Sequence, residues 1–138
     1  MSLPCYRFLT PLVLAITGLT ALPALADDCS EAVTQSDMNN CAVAGWEAED
    51  ARLNAVYPKA MALLKSWDEG LPEAERGGAA RLREAQRAWI TYRDAACEVA
   101  GWPMRGGSAE PLLVYGCMTE LTRERVEDLE SLLEYGEM

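Results

Sequence analysis

Apolar positions along this chain recur at steps of three and four through three long stretches, the spacing of helices that each bury one stripe. The first stripe runs from Met38 through Cys41, Ala42, Gly45 or Trp46, Leu53, Val56, Tyr57 and Met61 to Leu64. Thr34 to Asp37 supplies residues able to cap such a helix, and the run from Asp68 through Gly70 to Pro72 ends it. Pro58 lies inside this stretch and has no backbone donor, so a kink near Asn54 to Tyr57, or a break into two helices, is expected. A second stripe, Leu82, Gln86, Trp89, Ile90, Arg93, Ala96 and Cys97, predicts a helix from about Ala79 to Ala100. A third helix is expected from about Ala109 to Tyr135, with Leu112, Tyr115, Met118, Leu121, Thr122, Arg125, Leu129, Leu132 and Leu133 on one side. Ser108 is its expected N-cap, and Pro111 is tolerated in its first turn. No stretch alternates as a strand does and no repeat is visible, so the class is all-α, most simply three antiparallel helices with short loops.

Gln86, Arg93 and Arg125 stand on or beside stripes that a bundle would bury. A buried unpaired charge costs roughly several kcal/mol, so Arg93 requires a partner. In an up-down-up arrangement, at about 1.5 Å per residue, Asp50 lies roughly 13 Å above Cys41, Arg125 about 12 Å above Cys117 and Arg93 about 6 Å above Cys97. The levels agree, which predicts a structural polar cluster of Asp50, Asn54, Gln86, Arg93 and Arg125, with Asp50 against Arg93, Arg125 or both. Asp94 is not expected to be that partner, because adjacent helical residues point in different directions.

The N-terminus changes the picture of how much chain must fold. Arg7 followed by the uncharged apolar run Phe8 to Leu25 and the small-x-small triplet Ala24-Leu25-Ala26 reads as a cleaved export signal. The run is short and wrongly flanked for a membrane span, and Asp27 and Asp28 precede Cys29 where a lipoprotein signal needs small neutral residues. The expectation is a periplasmic or secreted protein without a stable membrane anchor, with residues 1–26 removed and residues 27–138 forming one domain. The full chain carries 12 basic and 22 acidic residues, a net charge of −10, and losing Arg7 makes it −11. Such a surface repels nucleic acid and anionic lipid and attracts basic proteins, less so as salt rises.

Four cysteines remain beyond the signal, Cys29, Cys41, Cys97 and Cys117. An even count in an exported domain predicts two disulfides, with three pairings open. The bundle topology places all four at one pole, where bridges worth about 2 to 4 kcal/mol each would bolt the three helices together. The opposite pole, from Pro58 to Gly78, has no such tie and is expected to be looser, with Gly77-Gly78 as a mobile connection. No two cysteines form a CxxC pair and the chain has no histidine, which argues against a metal site or other cofactor and against the common Ser-His and Cys-His nucleophile systems. Glu47, Glu49 and Asp50 are spaced like a solvated helix face rather than a carboxylate pair for glycoside hydrolysis, so an enzyme is not expected.

Several short motifs follow one another in order: Thr34-Gln35, Met38-Asn39, Cys41-Ala42, Asp50 with Leu53-Asn54 and Tyr57, AQRAW from Ala85, YRDAAC from Tyr92, Gly106-Gly107-Ser108, Gly116-Cys117, and Leu121-Thr122 with Arg125. Together they closely resemble the LprI-like N-terminal domain family, over nearly the whole chain beyond the signal. The resemblance implies a small exported helical protein that inhibits lysozyme. Under that reading a basic lysozyme is the protein partner, and the mixed aromatic, basic and flexible loop from Gly101 to Pro111 offers Trp102, Arg105 and Ser108 as the residues that enter its cleft. The alternative is a periplasmic protein-interaction or envelope-stress module whose partner is not lysozyme.

Overall fold

A computed structural model describes residues 29–138; the signal and its cleavage site, expected over residues 1–26, lie outside the described residues. Three helices dominate: α1 (Gln35–Glu69), α2 (Gly78–Gly101) and α3 (Glu110–Glu137). Short 3-10 turns at Cys29–Glu31, Glu73–Glu75 and Trp102–Met104 precede or join them. Thr34 opens α1 through a reciprocal box: its hydroxyl accepts from the Asp37 N–H at 3.1 Å, and the Asp37 carboxylate accepts from the Thr34 N–H at 3.2 Å. Of the two outcomes expected at Pro58, a kink or a break, the break does not occur: α1 continues through Pro58 as one helix. Pro58 and Asn54 both occupy exposed positions, so solvent can meet the carbonyl that loses its helical donor.

Cross-helix contacts fix the topology. Asn39 reaches Ser108, Glu49 meets Arg123 and Arg52 meets Glu130, so α1 and α3 ascend together. Asp50 against Arg93 and Cys97 against Cys117 show that α2 runs antiparallel to both. The up-down-up bundle is held by a core of Leu53, Val56, Ala60 and Met61 from α1, Ala79 and Leu82 from α2, and Val126 and Leu129 from α3. Burying each of the larger aliphatic side chains contributes about 1.5 to 3 kcal/mol. Val126 is fully buried although it lies off the expected stripe, because α3 faces two neighbours and its inner arc takes Thr122, Val126 and Leu129 at steps of four and three. Ile90 departs the other way and is 40 % exposed.

Both disulfides sit at one pole, but they tie less than expected. Cys97–Cys117 joins α2 to α3, whereas Cys29–Cys41 fastens the leading turn to α1. Among the described residues α1 therefore has no covalent bond to the other helices and meets α3 there through a 2.8 Å hydrogen bond from Asn39 Nδ2 to the Ser108 carbonyl. That carbonyl is what Ser108 contributes; the N-cap of α3 is Ala109, with no side-chain cap. Gly101, in the last turn of α2, lets α3 approach closely: a Cβ there would lie 2.5 Å from Val114 Cγ2.

At the other pole the Asp68 carboxylate accepts the N–H groups of Gly77, Gly78 and Ala79 at 3.0, 2.9 and 3.1 Å. An aspartate from the end of α1 thus caps the start of α2 across the connection. These hydrogen bonds, first that from Gly77, hold the Asp68 carboxyl below its ordinary pKa range, helped last by nearby Arg76. Gly77 adopts φ 145°, a backbone that side chains rarely permit, so the paired glycines supply turn geometry and are fastened at both N–H groups.

Candidate functional site

The loop between α2 and α3 presents the most distinctive exposed chemistry at the disulfide pole. Trp102 is 62 % exposed, and Arg105 and Ser108 are also exposed. The Arg105 guanidinium carbon lies 4.9 Å from the Trp102 ring centroid, within reach of a cation–π contact. Arg105 Nη1 donates to Glu110 Oε1 at 3.1 Å, and the Gly106 N–H donates to Glu110 Oε2 at 2.6 Å. A turn closed by the Gly107 N–H on the Met104 carbonyl at 2.8 Å, with Gly106 at φ 78°, shapes the tip. Glu110, in the first turn of α3, therefore organises a loop whose ends are already held by Cys97–Cys117 and Asn39. A loop held at so many points loses little conformational freedom when a partner binds.

Beside the loop, Gly106 and Glu110 form the rim of a cavity of about 540 Å³ that continues over Pro111 and Val114 to Trp46 and Tyr115. The two aromatic rings pack at 5.6 Å with a 45° tilt. Trp46 Nε1 is buried without a hydrogen-bond partner among the described residues. Trp46 belongs to the expected α1 stripe and Tyr115 to that of α3, but periodicity says nothing about a depression between them.

Of the five polar residues expected to cluster, Asp50, Asn54, Gln86 and Arg93 line one recess between α1 and α2, and Arg125 joins them through Gln86. Arg93, only 7 % exposed, lies 3.6 Å from Asp50 through Nη1, while Asn54 Nδ2 donates to Asp50 Oδ2 at 2.9 Å. Arg125 does not reach Asp50; its Nε donates to Gln86 Oε1 at 3.0 Å, and its Nη1 lies 3.6 Å from Asp128. The closest anion to Arg93 is Asp94, which accepts from Nε at 2.9 Å and lies 2.8 Å from Nη2. The expectation that neighbours on one helix turn could not pair is wrong here: the long guanidinium folds back around the helix surface, where its reach outweighs the divergence of the two Cβ directions. Trp89 and Trp46 lie 5.1 and 5.8 Å from the guanidinium carbon and flank it further.

Glu49 also departs from expectation. Its side chain is 13 % exposed rather than solvated, and it bridges Arg52 on α1 to Arg123 on α3. Arg123 is held more firmly protonated, first by its hydrogen bond to Glu120 and then by Glu49. Among the described residues no group of three or more His, Cys, Asp or Glu side chains is arranged to hold a metal ion, and no helix is long and apolar enough to cross a membrane. Among the described residues Glu110 is the carboxylate that lines the aromatic cavity.

Comparison with known proteins places this architecture. An uncharacterized protein of Rhizobium meliloti (strain 1021) is 47 % identical over 113 residues, covering 80 % of this chain and 81 % of that protein. No solved structure gives a significant match. Residues 26–129 match the family described as lysozyme inhibitor LprI, which spans the disulfides, the polar cluster and the exposed loop. The chain belongs to the LprI lysozyme-inhibitor family.

Proposed function

We propose that this protein is exported, loses residues 1–26, and acts as a folded domain of residues 27–138 that inhibits lysozyme by binding the enzyme and occluding its cleft. The observation that carries this reading is the family match over residues 26–129. The two disulfides agree with an oxidising, extracytoplasmic compartment such as the periplasm. With Arg7 removed the net charge of −11 attracts a basic lysozyme over distance, so association is faster at low salt.

The contact itself is assigned to the loop. Trp102 supplies an exposed aromatic surface, Arg105 a cation suited to the carboxyl groups of a glycosidase cleft, and Ser108 a hydroxyl at the loop's base. The Trp46–Tyr115 cavity extends the same face with apolar surface. No bond is made or broken: the protein excludes substrate by occupancy.

A bacterial-cell turbidity assay with a basic lysozyme tests this. The purified protein is expected to slow clearing in proportion to its concentration, with inhibition declining as salt rises. Unimpeded clearing, together with no lysozyme binding at low salt and recovery of a different protein from envelope extract, would replace this reading with the interaction-module alternative.

A further inference from the structure

A second recess lies between α1 and α2, lined by none of the residues of the Trp46–Tyr115 cavity. Its volume is about 220 Å³, room for roughly seven waters and below the roughly 300 Å³ at which drug-sized pockets begin. Polar groups from both helices converge on it: Asp50, Asn54 and Tyr57 from α1, Gln86 and Arg93 from α2. Leu53 and Ile90 supply apolar wall, which accounts for the 40 % exposure of Ile90 at a position expected to be buried.

Gln86 and Arg93 are 8 % and 7 % exposed, yet neither is fully satisfied by protein. Arg125 has no acceptor, so it takes the oxygen end of the Gln86 amide and leaves the Gln86 Nε2 donors unmatched. Trp46 and Thr122 hold the fully buried unpaired side-chain groups among the described residues, so Gln86 Nε2 meets the recess it lines. Arg93 commits Nε and Nη2 to Asp94, while Nη1 faces Asp50 at 3.6 Å, too far for a good hydrogen bond. The Tyr57 hydroxyl also has no partner among the described residues, and Asn54 Oδ1 and Asp50 remain open as acceptors.

Charge selects the occupant. The Arg93 guanidinium is answered by both Asp50 and Asp94, which leaves a free anion no uncompensated cation to meet, while its positive charge at the wall opposes a free cation. A neutral molecule whose groups both donate and accept satisfies every open atom, and hydroxyl groups do so. Planar carboxylate, amide and guanidinium edges suit vicinal hydroxyls, while Leu53, Ile90 and the Tyr57 ring suit the C–H face of a ring. We infer that the recess between α1 and α2 is a binding site for one neutral saccharide ring.

The test is a titration of the isotopically labelled protein with glucose and with N-acetylglucosamine, following amide and indole resonances. A single ring of this size binds with a Kd of about 1 mM. Saturable shifts are expected at the Asn54 and Gln86 side-chain amides and the Trp89 indole. Asn54→Ala and Tyr57→Phe, both folded by the same spectra, should each weaken binding by fivefold or more. Trp102→Ala with Arg105→Ala should leave saccharide binding unchanged, which separates this site from the lysozyme reading. No saturation by about 50 mM of either sugar, shifts confined to the Trp46–Tyr115 cavity, or tighter binding of sodium acetate at the same resonances would each overturn the inference.

Discussion

The two ends of the bundle solve the same problem with different chemistry. At one pole Cys97–Cys117 joins α2 to α3 covalently and Cys29–Cys41 pins the leading turn. At the other, a single carboxylate, Asp68, receives three backbone N–H groups and joins the end of α1 to the start of α2. The first tie is indifferent to pH and sensitive to reductant; the second has the opposite sensitivities. The difference teaches that a pole without a disulfide still has a specific tie, and that the exposed loop is built where the fastening is covalent.

The largest expected effect comes from removing that covalent tie. Cys97→Ala with Cys117→Ala opens a 20-residue separation and should cost about 3 kcal/mol, read as a lowered denaturation midpoint. If stability is unchanged, the disulfide pole is not the stronger end. Gly101→Ala forces a methyl against Val114 at the same pole and should cost about 2 kcal/mol, measured by the same denaturation.

A smaller loss is expected at the opposite pole from Asp68→Asn, which keeps the shape but removes the charge that accepts three N–H groups. Because the folded pKa of Asp68 is depressed, its contribution is complete above the unfolded value and fades as pH falls from about 4 toward the folded value. Melting temperature against pH should therefore fall in acid for the wild type and fall less steeply for Asp68→Asn. Identical acid limbs would remove Asp68 from the account. Midway between the poles, Thr122 is fully buried and its hydroxyl has no partner among the described residues, so Thr122→Val should stabilise by about 1 kcal/mol. A loss there would mean that the hydroxyl is answered in solution.

Helical periodicity made the bundle legible, because stripes at steps of three and four specify which faces meet. A helix cap within Thr34 to Asp37 and the placement of four cysteines at one end followed from local chemistry and topology in the same way. What periodicity did not carry were contacts made by side-chain reach. Arg93 folds back to Asp94, Arg125 stops at Gln86 instead of Asp50, and Glu49 bridges two helices from what looked like a solvated face. Asp68 capping a helix nine residues downstream was visible as an aspartate before a double glycine, yet only the turn geometry aims it. The loop residues Trp102, Arg105 and Ser108 were legible as unusual composition, whereas Glu110 as their organiser was not.

The central claim is that the loop at the covalently tied pole is the lysozyme-binding element. The most direct measurement is calorimetric titration of a basic lysozyme with the wild-type protein and with the Trp102→Ala, Arg105→Ala double variant at low salt. Both side chains are exposed, so the variant should keep the wild-type melting temperature and lose at least tenfold in affinity. Equal affinity for the two proteins would contradict the account and move the binding surface away from this loop.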